Sequence, residues 1–296
     1  MKRKPLIGAF VLAAAALLSW GCALLAGRHV TEVNATPPID FPETGFSHAS
    51  FEGLLRTYVG PEGGVNYEAW HADRDAVAEL DSYLAAIALY SPDATPQRFP
   101  GANDAFVYWV HAYNAFVIKA VLDRWPLESV TDVTATIEIT RGFGFFYGLE
   151  FVAGGTRTNL YDLEHDKLIR DDVDARVHFV LNCGSGGCPV LRPDLPTDDE
   201  LEPVLAAAAR DFVADPQNVS IDPDARVLRI STIFEWYEDD FLNDLRRRGL
   251  AADRGILDYL IHIAPPKLRD ELERAATYDV EYIDYDWSVN AFERDG

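Results

Sequence analysis

Lysine is nearly missing from this 296-residue chain: five of its 26 basic residues are lysine (Lys2, Lys4, Lys119, Lys167 and Lys267), and arginine supplies the rest. Positive charge is short as a whole, with 48 acidic side chains against those 26 and a formal net charge of -22. That sign is wrong for neutralising phosphates, so no nucleic-acid partner is expected, and an anionic membrane surface would repel the folded part. Two readings of the imbalance stand: adaptation to high salt, where screening relieves the self-repulsion of carboxylates, and a coding bias over an ordinary solvated surface. Familiar catalytic signatures are missing too. Ser185 lies in no G-x-S-x-G elbow, because position 183 is cysteine, and the chain has no Walker loop and no dinucleotide fingerprint. Nothing selects a glycoside-cleaving pair among the 48 acids, and no internal repeat is present.

What is there begins with apolar material, 48% hydrophobic and 12% aromatic residues, enough for a sizeable core in one large domain or two small ones. The N-terminus reads Met1-Lys2-Arg3-Lys4, then an apolar run from Leu6 to Leu18, then Ser19-Trp20-Gly21-Cys22-Ala23. Those are the parts of an export signal. Cys22 after Gly21 is a lipidation candidate, although Ser19 and Trp20 fit such a site poorly. Gly21 and Ala23 suit ordinary cleavage, and the 20 residues from Leu6 to Leu25 also suit an uncleaved anchor. The expectation is an exported protein on the periplasmic or extracytoplasmic face. It would touch the membrane only through residues 1–27 and carry a polar, proline-bearing linker over 28–45.

The folded part is expected as a single domain over 46–290, with a polar tail over 291–296. The spacing predicts helices over 51–58, 73–90, 103–124, 159–170, 198–213, 236–241 and 256–263. Asn159 stands as the cap of the fourth. Arg176 to Leu181 reads as the clearest strand, and Val219 with Val227 to Ile230 reads as a strand pair. Between Arg141 and Gly148, three glycines punctuate four aromatics, a core-capping loop or an aromatic wall beside a pocket. Helices outweigh strands, so the fold class is α+β, with helices packed around a small mixed or antiparallel sheet. The segment Tyr282 to Asn290 reads as a strand or turn docked on the core.

Chemistry gathers around Asn182-Cys-Gly-Ser-Gly-Gly-Cys-Pro189. Cys183 and Cys188 make a disulfide candidate in an exported chain. The other reading is a thiolate at Cys183 with His178 as its base, the two linked by the predicted strand, and glycine-loop N–H groups cradling an oxyanion. Glu164 and His165, on the preceding helix, would orient or replace His178. A zinc site needs a second ligand pair, and only His165 and His178 are near, so no metal and no cofactor are expected. His111 and Asn114 share a helix face with Val107 and Ile118 and need buried partners. With Arg176, Asn182 and Ser185 they are the candidate binding residues.

These residues together resemble the family catalogued as domain of unknown function 547, whose members include exported bacterial proteins. The resemblance spans about residues 46 to 290. Its marks are Val65-Asn66-Tyr67, Trp109-Val-His-Ala-Tyr-Asn-Ala115, Leu160-Tyr-Asp-Leu-Glu164-His165 with Arg170, Arg176-Val-His-Phe179 into Asn182-Cys183, Ser185 to Cys188-Pro189, and Tyr285-Asp286-Trp287 with Asn290. His111 stands where the pattern usually has asparagine, and Ala175 where it usually has proline. The resemblance supplies no substrate. A helix against a histidine-bearing strand is also similar, distantly, to the papain and transglutaminase arrangement, an analogy of fold alone. Two functions follow as expectations. One is a thiol-dependent acyl-transfer or hydrolytic enzyme using Cys183 and His178. The other is a noncatalytic envelope module with a structural Cys183–Cys188 disulfide, taking an unknown small molecule or envelope component.

Overall fold

The structure, a computed structural model, describes residues 29–31, 33–170, 174–197 and 199–292. The expected export segment with Cys22 lies outside them. In chain order, β1 (His29–Val30) precedes α1 (Ala49–Tyr58), α2 (Tyr67–Ala72), α3 (Arg74–Leu89) and α4 (Asp104–Leu122). Local capping sets two of these starts. The Asn66 side chain accepts from the Ala69 N–H at the head of α2, and the Asp73 carboxylate accepts from Asp75 and Ala76 at the head of α3. α4 is apolar on every side and is buried from Val107 to Leu122. A helix with no polar face has to lie in the core. Among the described residues it is also the helix long and apolar enough to cross a membrane, yet here it is sheathed by the rest of the protein.

Next come α5 (Phe143–Phe146), β2 (Leu149–Ala153), β3 (Thr156–Asn159) and α6 (Leu160–Leu163), which runs on as a π-helical turn over Glu164–Leu168. Asn159 caps α6, its side chain accepting from the Asp162 N–H. After a 3₁₀ turn over Ala175–Phe179 follow α7 (Leu201–Ala214), β4 (Val219–Asp222), β5 (Val227–Ser231), α8 (Ile233–Trp236), α9 (Glu238–Arg247), α10 (Ile256–Ile263), α11 (Pro266–Arg274) and β6 (Asp279–Ile283). The strands form two sheets of three, each mixed: β1 lies parallel to the antiparallel β2–β3 hairpin, and β6 lies parallel to β5 of the β4–β5 hairpin. The class is α+β, with two small sheets where the sequence reading had one.

Residues 176–181, read as the clearest strand, are not extended. The Asp174 carboxylate accepts from the Arg176 N–H and closes a 3₁₀ turn. Every residue from Ala175 to Asn182 is buried, so the run of β-branched and aromatic residues marks burial and carries no two-residue alternation. With that strand goes the shared face of His178, Val180 and Asn182, and with it the feature behind the papain-like analogy. The described part of the stretch read as a linker touches the body. β1 pairs with β2, Phe41 stacks on Tyr90 at 5.7 Å, and Arg98 donates to the carbonyls of Pro42 and Gly45.

The C-terminal segment after β6 positions the site. It bridges to three distant places in turn, Ser288 with Ser129, Val289 with Ser185, and Ala291 with Val65. It therefore clamps the glycine loop against the body.

Candidate functional site

Asn182 organises the loop from Asn182 to Pro189. Its Nδ2 donates to the Pro189 carbonyl at 2.7 Å, and its Oδ1 accepts from the Gly184 N–H at 2.8 Å and from Asn290 Nδ2 at 3.2 Å. Asn114 fastens this loop to α4. Its Oδ1 accepts from the Asn182 N–H at 2.9 Å, and its Nδ2 donates to the Val180 carbonyl at 3.0 Å. Gly184 takes a left-handed conformation, φ +83°, with Val117 and Val130 packed where a side chain would start. Cys183 and Cys188 are joined as a disulfide, with Cα atoms 6.2 Å apart.

Most of the loop's N–H groups are spent inside the protein. Cys183 donates to Cys188 Sγ at 2.9 Å, Gly186 to the Ser288 carbonyl at 2.8 Å, Gly187 to the Asp286 carbonyl at 3.0 Å, and Cys188 to the Ser185 carbonyl at 3.1 Å. The donors wanted for an oxyanion cradle thus hold the loop shut. Over the disulfide sits Tyr285, its hydroxyl 3.1 Å from Cys183 Sγ and 3.0 Å from Cys188 Sγ, while Ser185 Oγ lies 3.3 Å from Cys183 Sγ. Burial pushes the Tyr285 phenol above its ordinary pKa, so it stands protonated as a donor. Tyr285 also packs on Trp287 and on the exposed Trp236, at 4.7 and 4.8 Å between ring centres, and Arg141 lies over Trp287.

His178 is engaged elsewhere. Its Nε2 is 3.0 Å from Asp240 Oδ2, and its ring stacks on Tyr237 at 4.0 Å. Tyr237 in turn donates to Glu164 Oε1 at 2.7 Å, and Tyr113 donates to Glu164 Oε2 at 3.3 Å. Burial, then the Glu164 charge, holds both phenols well above the usual tyrosine pKa. His165 points outward, exposed and stacked on Tyr161 at 3.7 Å, which itself stacks on Tyr147 of the aromatic stretch at 4.2 Å. Glu164 and His178 therefore meet through a shared tyrosine, and no hydrogen bond links His178 to Cys183 among the described residues. Tyr113 and Tyr285 were read from sequence only as marks of the family resemblance, with no partner or role, and Tyr237 and Asp240 were not singled out. Tyr285 is 102 residues from Cys183, and no local spacing could have paired them.

Two cavities flank the stapled loop. One, of about 530 Å³, lies between the Gly60–Gly64 turn, the loop residues Asn182, Ser185 and Cys188, and the C-terminal residues Asp286, Ser288 and Asn290. The other, of about 450 Å³, shares Cys188 and Glu62 with it and reaches Arg192 and Asp211. Both are within the size range of small-molecule sites. The remaining candidates lie apart from the loop. Arg176 is buried against Asp174 and Glu202; burial works against its charge, and the two carboxylates outweigh it, so its pKa stays above the ordinary value. His111 is fully buried, with no hydrogen-bond partner for either ring nitrogen among the described residues, 4.6 Å from the His48 ring, and burial pushes its pKa down to about 3. Among the described residues no three His, Cys, Asp or Glu side chains converge on a point that would hold a metal ion.

Residues 97–213 match the family model described as "Protein of unknown function, DUF547", which supports kinship with that family. No curated protein and no solved structure matches the chain. The matched block holds α4, Glu164, His178 and the stapled loop, and stops short of the segment that brings Tyr285.

Proposed function

We propose that this chain is a noncatalytic binding module of the cell envelope, exported and held at the membrane by its N-terminal segment. Its ligand is a small polar molecule or an envelope component seated against the stapled loop. One observation carries the reading: both sulfurs and the N–H groups of Cys183, Gly186, Gly187 and Cys188 are already engaged within the protein. A catalytic nucleophile needs a free thiolate, a base within reach and unspent donors. What the loop offers instead is a rigid wall to two cavities. Incubating the full chain with an activated ester, with and without a mild reductant, tests this. Hydrolysis no faster with the wild type than with Cys183→Ser is expected in both conditions, and reductant-dependent turnover lost in Cys183→Ser would overturn it.

A second reading, the thiol-dependent acyl-transfer or hydrolytic enzyme, draws on one contact. The Tyr285 and Ser185 hydroxyls lie against Cys183 Sγ and would steady a thiolate there once the disulfide was reduced. The same ester assay separates the two.

A further inference from the structure

A cleft of about 310 Å³ opens between α7, α9, α10 and the start of α11, and it shares no lining residue with the two cavities at the stapled loop. Ala206 and Ala209 of α7 leave the space open, and four arginines face it, Arg176, Arg210, Arg248 and Arg269. Glu202 and Asp244 are the carboxylates on its lining. In a chain of net charge -22, this is a local surplus of positive charge. Its arginines are not alike. Arg176 is held by Asp174 and Glu202, and Arg248 by Asp244 and Asp174. Arg269 meets no carboxylate among the described residues; its Nε and Nη2 donate to the carbonyls of Ile261 and Ala264, each at 3.1 Å. Arg210 has no hydrogen-bond or ion-pair partner among the described residues and stands exposed at the rim.

The cleft also holds a hydroxyl that wants an acceptor. Tyr259 is fully buried, lines the cleft, and its oxygen has no hydrogen-bond partner among the described residues. Leaving such a group unmatched is costly, and buried polar groups are as a rule hydrogen-bonded. After burial, Asp244 and Asp174 act most strongly on this phenol, and Arg176 and Arg248, the latter just past the end of α9, act on it in the opposite sense.

We infer that this cleft binds a phosphate group, free or on a small ester, through Arg210, Arg269 and the Tyr259 hydroxyl. A phosphate presents acceptors in every direction, so it can take a phenolic O–H from the floor and guanidinium N–H groups from the rim at once. A cleft of about 310 Å³ is at the small end for ligand sites and suits an anion or a short ester. The arginines already paired with carboxylates hold the walls.

Calorimetric titration of the full chain with inorganic phosphate and with glycerol 3-phosphate, against chloride at matched ionic strength, tests the site. Saturable binding of phosphate, absent with chloride, is expected, and a tighter fit of glycerol 3-phosphate would identify the ester as the form recognised. Tyr259→Phe, which keeps the ring, and Arg210→Ala, on the exposed rim, should each weaken binding by about tenfold, the loss of one charge-assisted contact. Arg210→Ala keeps the test decisive if Tyr259→Phe fails to fold. Heats equal to those of chloride, or wild-type affinity in Arg210→Ala, would overturn the assignment.

Discussion

His111 and Asn114 stand one turn apart on α4, both buried in a largely apolar helix, and their surroundings treat them in opposite ways. Asn114 has a partner for each end of its amide and through them holds the Val180 carbonyl and the Asn182 N–H. His111 has none for either ring nitrogen, with Glu52 Oε1 still 3.8 Å from Nε2. A polar residue inside an apolar stripe is therefore a bolt at one position and a liability one turn away. The difference is whether an irregular backbone segment, with unpaired groups of its own, runs past it. The 3₁₀ turn and glycine loop supply such groups beside Asn114, whereas His111 faces rings, His48 and Phe51.

The contrast is sharpest under substitution. Asn114→Ala should cost about 3 kcal/mol, because it strands a buried carbonyl and a buried N–H together, and should loosen the stapled loop. Urea unfolding of the variant measures the first, and faster hydrogen exchange at Asn182 the second. A loss under 1 kcal/mol would mean that the loop holds itself without α4. Cutting the staple comes next. Cys183→Ser and Cys188→Ser should each cost about 2 kcal/mol, the loop-closure value for so short a ring. A reductant should lower wild-type stability by the same amount and leave both variants unmoved.

His111 should act through pH. Its folded pKa of about 3 lies below the unfolded value near 6.5, so as pH falls through that window the unfolded chain takes up a proton that the folded chain refuses. Stability present above about pH 6.5 is then lost at about 1.4 kcal/mol per pH unit down toward pH 3. His48, also held low by burial and then by His111, adds in the same direction. His111→Asn should flatten the acid limb of a stability–pH curve measured by urea titration from pH 7 to 4; an unchanged slope would show that His111 is not the residue titrating. The smallest effect is general. With a net charge of -22, the melting temperature of the full chain should rise between low and molar salt, and a flat response would leave the acidic surface without a salt-adapted role.

The helices were legible because local chemistry starts and stops them. Asn159 caps α6 as read, and the bounds of α3 and α4 fall within two residues of those predicted. The stretch from Arg176 to Leu181 misled for a physical reason: burial on all sides erases the alternation that separates a strand from a turn, and the Asp174 cap that decides it looks like any acid in the sequence. α11 escaped notice because its nine residues bury only Leu272. At the site, Asn114 was readable as a group needing a buried partner, Asn182 as a candidate binding residue and the two cysteines as a possible pair. The partners themselves, Tyr285 over the sulfurs and Asp240 on His178, come from 102 and 62 residues away, and only the folded chain brings them in.

Alkylation of the native full chain without reductant, followed by peptide mapping at Cys183 and Cys188 across neutral pH, bears most directly on the stapled-module reading. Both cysteines are expected unlabelled in the wild type, with Cys188 becoming labelled in Cys183→Ser. Rapid labelling of wild-type Cys183 near neutral pH, slowed in His178→Ala, would contradict it and restore the activated thiolate.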